Sequence, residues 1–356
     1  MATLLERNPN GLYCAQGDFD IDPWSGVDRA IITHAHSDHL YAGSKRYLTA
    51  RAGEPLVRAR LGSDARIESL EYGASIQING VRISFHPAGH ILGSAQVRLE
   101  RQGEIWVVSG DYKLVPDPTC AAFEPVNCHT FITESTFGLP IYRWLPAGTV
   151  MDEINAWWRS NQQAGRASVL FGYPLGKAQR LLAGVDSSIG PIYAHGAVEQ
   201  MSRIYRASGI PLPAAAFVRD APARTDWTQA LILAPLMSKN SAWLRRFGRM
   251  STGFASGWMR IRGTRRRRSI DRGFVLSDHA DWPGLMAAIE ATSAERVWVT
   301  HGYRAPMVRW LAEKGLEAQL IETQYEGERD EAGGATGAGG EAETGADGEP
   351  NGTDEV

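Results

Sequence analysis

Thr33-His34-Ala35-His36-Ser37-Asp38-His39-Leu40 packs three imidazoles and a carboxylate into six residues, directly after the apolar run Arg29-Ala30-Ile31-Ile32. Imidazole and carboxylate are borderline ligands suited to Zn²⁺ or Mn²⁺. In a loop, His34 and His36 can address one cation while Asp38 and His39 turn to another. A metal-free surface cluster of histidines is the alternative, and further ligand types at other strand ends weigh against it.

Those ends recur along the chain. Val81–Phe85, Glu104–Val108, Thr130–Thr133, Gly273–Leu276 and Arg296–Thr300 read as short, buried or half-buried strands. Each is followed closely by an ionisable residue: His90, Asp111, Glu134, His279 and His301 respectively. A rigid scaffold aims such loop residues into one cleft. Between about Leu139 and Phe254 the pattern changes. An amphipathic, tryptophan-rich stretch over 150–159, strands over 168–171 and 229–234, and a helix over 177–183 suggest a separate α/β unit inserted into the first domain.

Composition narrows the class. The chain has 356 residues, 43% hydrophobic and 22% charged, within the range of a soluble globular protein. No run of about 18 apolar residues occurs, so no membrane partner is expected. Met1–Arg7 lacks the pattern of a signal peptide. Cys14, Cys120 and Cys128 show no paired spacing, which points to a reducing, cytoplasmic setting. The net charge of −3 hides an asymmetry: residues 326–356 hold ten acids, one base and nine glycines, and read as a disordered acidic tail. Residues 1–325 then carry 36 Lys and Arg against 30 Asp and Glu, a net of +6. A mildly basic body suits a polyanionic partner.

The H-x-H-x-D-H pattern resembles the metallo-β-lactamase superfamily. Pro87-Ala88-Gly89-His90 looks like its next ligand stage, and Val108-Ser109-Gly110-Asp111 like its bridging aspartate. Asp22 looks like its early aspartate, which braces the histidine loop, although Asp20 lies close enough to be the match instead. Beyond Asp111 the chain resembles the β-CASP nuclease branch. Thr133-Glu134-Ser135-Thr136 looks like its acidic motif, Ser277-Asp278-His279-Ala280-Asp281 like its second, and Val299-Thr300-His301-Gly302 like its third. Gly11–Cys14, Gly172–Arg180 and Phe254–Arg260 look like the bacterial ligase-associated DNA exonucleases.

The resemblance implies an α/β fold, a metallo-β-lactamase αββα sandwich with an inserted α/β β-CASP cap. The sandwich domain would take residues 1–138 and 255–325 and the cap 139–254, leaving 326–356 as tail. It implies two divalent metal ions, Zn²⁺ first and Mn²⁺ second. His34, His36 and His90 would hold one and Asp38, His39 and His301 the other, with Asp111 bridging. The catalytic set would be Asp38, His279, Glu134 and Asp22, with His279, oriented by Glu134, as general acid. The implied activity is a DNA exonuclease acting in repair from 5′ ends, in association with an ATP-dependent DNA ligase and a helicase. His301 keeps an RNA-processing β-CASP ribonuclease open, because animal DNA-cutting members tend to carry Val at that motif.

Weaker signals complete the reading. Gly172-x-x-x-Gly176-Lys177-Ala178 is one residue short of a phosphate loop and lacks its Ser or Thr, which argues against an NTPase; Lys177 is left a modest phosphate-steering role. Arg260, Arg262, Arg265, Arg266, Arg267 and Arg268 are read as nucleic-acid contacts, against a solvated basic loop. His86, His129 and His195 read as structural histidines, and Trp157-Trp158 as core rather than a base-stacking platform.

Overall fold

A computed structural model describes residues 3–261 and 270–324 of the chain. The described residues form a mixed α/β fold with three sheets. The first runs, edge to edge, through Glu6–Asn8, Gly11–Cys14, Phe19–Ile21, Arg29–Ile32, Arg46–Ala50 and Ile67–Leu70. The second runs through Glu317–Leu320, Arg296–Thr300, Thr130–Glu134, Glu104–Val108, Ala95–Arg101, Val81–Pro87 and Ser75–Ile78.

Alternation along these strands sorts side chains into layers. Ile31 and Leu48 from the first sheet meet Trp106, Val108 and Ile132 from the second in one core. Their strand neighbours Val107, Phe131, Val297 and Val299 point the other way, onto Leu285 and Ile289 of helix Trp282–Ala291 and Met307 and Leu311 of helix Arg304–Glu313. On the far side of the first sheet, Ala30, Ile32 and Tyr47 pack on Leu56 and Val57 of helix Glu54–Leu61.

Strand direction positions the site. Glu104–Val108 pairs parallel with Thr130–Glu134, which pairs parallel with Arg296–Thr300, so Asp111, Glu134 and His301 emerge at one edge. Phe19–Ile21 and Arg29–Ile32 are likewise parallel, bringing Asp22 and Thr33 out together. Gly110 lets the two groups close up. With φ of +56°, it passes Thr33 so tightly that a β-carbon would lie 2.7 Å from Thr33 Cβ.

The third sheet is parallel throughout, in the order Ala216–Phe217, Ile192–Ala194, Leu231–Ala234, Ala167–Phe171, Met250–Ala255 and Arg272–Phe274. One face buries Leu170 and Leu233 against Ile154 and Trp158 of helix Ala147–Gln163 and Leu181 of helix Lys177–Gly184. The other packs Val169, Phe171 and Phe254 on Phe137, Tyr142 and Trp258. The strand that precedes His279, read from sequence with the first domain, pairs instead with Met250–Ala255, so this sheet continues past residue 254. Among the described residues no helix is long and apolar enough to cross a membrane.

Candidate metal centre

His34, His36, His90 and Asp111 form one group able to hold a metal ion, and Asp38, His39 and Asp111 a second. Asp111 belongs to both, with Oδ2 3.5 Å from His34 Nε2 and Oδ1 3.4 Å from His39 Nε2. Hydrogen bonds on the far side of each ring show which nitrogen keeps its lone pair. His90 Nδ1 lies 3.0 Å from the Asp278 carbonyl and His36 Nε2 3.2 Å from the Leu175 carbonyl; a carbonyl only accepts, so both nitrogens carry protons. Thr33 Oγ1 donates to Asp22 Oδ2 at 2.6 Å, which leaves it to accept from His34 Nδ1 at 3.1 Å.

His34 Nε2 and His90 Nε2 therefore present lone pairs, each 3.1 Å from a third lone pair on His36 Nδ1. Three acceptors cannot bond to one another; a cation between them resolves the arrangement. Nitrogens bound at about 2.0–2.1 Å to a tetrahedral zinc would stand roughly 3.4 Å apart, close to this spacing. The donor set thus fits the metals that the sequence implies.

The second group follows the same logic. Asp22 Oδ2 accepts from His39 Nδ1 at 2.7 Å, leaving His39 Nε2 buried without a hydrogen-bond partner among the described residues. Asp22 Oδ1 also accepts from Thr33 N at 2.8 Å, so it braces the loop at both ends. Asp20 instead accepts from Asn8 and takes no part. The brace is Asp22. His301 stacks on His39 with ring centres 5.1 Å apart, but stands outside the tight second group. A small cavity opens beside Asp38, His39 and His301, walled by Leu12, Ile21 and Trp24.

Electrostatics agree with cation binding. Burial pushes His34, His90 and His301 below the ordinary imidazole value, keeping them neutral as ligation requires. Burial opposes charge on His39 too, yet Asp111 and Asp38 outweigh it and raise its pKa well above the usual value. Carboxylates that favour a proton at that nitrogen favour a divalent cation there as well. Burial acts against the Asp111 carboxylate, and His39 and His279 more than reverse it, holding it well below the usual range.

Glu134 and His279 form a third cluster with Asp111. His279 Nδ1 lies 2.9 Å and 3.1 Å from the two Glu134 oxygens, and Glu134 Oε1 also accepts from Tyr112 N at 2.8 Å. A carboxylate only accepts, so Nδ1 is the nitrogen of this pair that donates. Glu134 is buried, which pushes its pKa up.

Other expectations divide. Lys177 is corrected: it is fully buried, its Nζ 2.9 Å from Asp278 Oδ2, so its charge is matched inside the protein and does not meet solvent or a phosphate. An internal carboxylate thus stands at the helix start where a phosphate loop would hold an anion. Arg260 is exposed and donates to the Ile141 carbonyl at 3.3 Å. Arg262 and Arg265–Arg268 lie outside the described residues, as does the acidic tail. His86 bonds Ser84 and Glu124, His129 accepts from Ile105 N, and His195 caps helix Gly196–Ala207, all structural roles. Trp158 is core. Arg180, Asp117 and Asp278 were missed by the sequence reading. Lys177 and Arg180 fall at i and i+3 of one helix, and two buried cations on one face call for an acid.

Sequence comparison adds kinship. The chain is 33% identical over 315 residues to a probable DNA ligase of Opitutus terrae, covering 88% of this chain and 30% of that protein. It is 29% identical over 229 residues to endoribonuclease YSH1 of Yarrowia lipolytica, covering 54% of this chain and 26% of the relative. An RNase J-like protein of Methanocaldococcus jannaschii is 26% identical over 213 residues, half of each chain. The chain is a relative of the β-CASP metallo-β-lactamase nucleases. It spans from about a quarter to half the length of these three relatives. No protein-family model matches it. A crystal structure of a protein of unknown function from Enterococcus faecalis V583 shares the fold, with a TM-score of 0.51 at 12% identity, over 76% of this chain and 74% of that one.

Proposed function

We propose that this β-CASP relative is a metal-dependent DNA exonuclease that hydrolyses phosphodiester bonds from 5′ ends in DNA repair. The observation that carries the reading is the convergence of three histidine lone pairs in a group that shares Asp111 with a second group, Asp38 and His39. The two face-packed sheets and their outer helices are taken as the αββα sandwich and the third-sheet unit as the β-CASP cap. The cap then extends past 254 to include Arg272–Phe274.

Two divalent cations bound there, Zn²⁺ by ligand type with Mn²⁺ second, would neutralise the phosphate and lower the pKa of an attacking water. Asp22 fixes His39, and Asp111 ties the two groups together. His279, held through Nδ1 by Glu134, presents Nε2 to protonate the departing oxygen. Arg260 and the arginines from 262 to 268 supply phosphate contacts. The setting is cytoplasmic, with an ATP-dependent DNA ligase and a helicase as functional partners.

Similarity to a stretch of a probable DNA ligase supports DNA. His301 and the two ribonuclease relatives favour the second reading, RNA processing on the same scaffold. End-labelled single-stranded DNA, duplex DNA and RNA of matched sequence, incubated with defined metals, separate them. Shortening of DNA from its 5′ end with RNA spared supports the first. Cleavage of RNA alone establishes the second and ends the first.

A further inference from the structure

Behind the metal-site histidines lies a second cluster of buried charge. Lys177 Nζ is 2.9 Å from Asp278 Oδ2 and Arg180 Nη1 is 3.2 Å from Asp278 Oδ1, so one helix face grips both oxygens of one carboxylate. Arg180 also donates to the Ser277 carbonyl, and its Nε lies 2.8 Å from Asp117 Oδ2. Lys113 stands 3.9 Å from the same Asp117 oxygen. All five charged side chains are buried.

What the grip holds is the segment that serves the candidate metal centre from two directions. The Asp278 carbonyl accepts the proton of His90 Nδ1, and the next residue is His279, whose N–H donates to Ser277 Oγ at 3.1 Å. A carboxylate held by one cation can pivot. Held at both oxygens, with the preceding carbonyl pinned as well, the peptide has one orientation, and so does the ring bonded to it.

We infer that Lys177 and Arg180 are positioning residues for the metal centre: by clamping Asp278 they fix the Nδ1–H tautomer of His90, direct its Nε2 lone pair toward His34 and His36, and aim His279. The helix of the third-sheet unit thereby braces a site whose candidate metal ligands follow strands of the two face-packed sheets. The roles of His90 and His279 in turnover rest on the proposed function; the tautomer and the cation affinity do not.

The test uses the full chain with Arg180→Met, Lys177→Met and Arg180→Lys. Arg206→Met, which breaks the Arg206–Glu199 pair on another helix, is the control. Three quantities are read: the ¹⁵N–¹H spectrum of the histidine rings after chelation, zinc affinity by titration, and kcat and KM on labelled oligonucleotides. Wild type should show a protected His90 Nδ1 proton. Arg180→Met should lose it, bind zinc about 10–100-fold more weakly and lose kcat by a similar factor with KM within about two-fold. Arg206→Met should leave all three unchanged even where it lowers the melting temperature. Should a methionine variant fail to fold, Arg180→Lys carries the test. Its shorter, single-headed cation cannot reach Asp278, Ser277 and Asp117 together, so the Nδ1 signal and zinc affinity should both weaken. Folded variants that keep the His90 Nδ1 proton and bind zinc within two-fold of wild type overturn the inference. Absence of turnover in wild type would count against the proposed function alone, since the spectrum and the titration still decide positioning.

Discussion

The cluster around Asp111 and the cluster around Asp278 are both buried, both ionic and separated by a single hydrogen bond from His90 to the Asp278 carbonyl. They differ in how their charges are closed. Around Asp278, cations meet carboxylates at 2.8–3.2 Å, and each strong pair is matched within the protein. Around Asp111, ring nitrogens that can only accept face one another, and His39 Nε2 has no hydrogen-bond partner among the described residues. The first arrangement sets a cation against each carboxylate, even though Lys113 Nζ and Lys177 Nζ make no hydrogen bond among the described residues, and it stiffens its surroundings. The second lacks a positive charge at its centre. Buried charge alone does not mark a functional site; buried charge that the fold leaves unanswered does.

Substitutions in the two clusters should therefore fail differently. His279→Ala should lower turnover by roughly 10²–10⁴-fold while keeping bound metal, because a general acid is removed and no ligand is lost. On a nitrophenyl phosphodiester, whose leaving group needs little protonation, that defect should shrink. A defect of equal size on both substrates would remove His279 from proton donation. In the closed cluster the order reverses: Asp278→Ala strands Lys177 and Arg180 and should cost about 3–5 kcal/mol of stability by denaturant unfolding. A loss below about 1 kcal/mol would mean that the pairs contribute nothing net.

What the sequence made legible follows from the same contrast. The open cluster is built from strand-end residues of distinctive type, so His34, His36, His90 and Asp111 could be picked out and prove to converge. The closed cluster joins Lys177 and Arg180 to an acid far along the chain, and nothing local to Gly172–Lys177 shows that Asp278 stands where a phosphate would. For that reason the role expected of Lys177 fails. The strand Arg272–Phe274 was recognisable as a strand, but its composition does not say which sheet it joins. Ring orientation was also out of reach: His36 turns Nδ1 to the site and its neighbours turn Nε2, a choice made by the Leu175 carbonyl from the third-sheet unit.

Two smaller effects bear on charge outside both clusters. Neutralising Arg265, Arg266, Arg267 and Arg268 should leave metal content unchanged. It should flatten the dependence of log binding on log salt by about 0.7–0.9 for each phosphate that an arginine no longer neutralises. An unchanged slope returns them to a solvated loop. Truncation after Tyr325 should keep nuclease activity within about two-fold, with a slight rise at low salt if the acids compete with nucleic acid. Loss of metal on truncation would make the tail part of the site.

The shared carboxylate is the centre of the account, and metal analysis of Asp111→Ala beside His279→Ala tests it most directly. Wild type should bind two divalent ions per chain, Asp111→Ala should be depleted of both, and His279→Ala should retain both. An Asp111→Ala protein that keeps two ions, or a His279→Ala protein that loses them as readily, would contradict it.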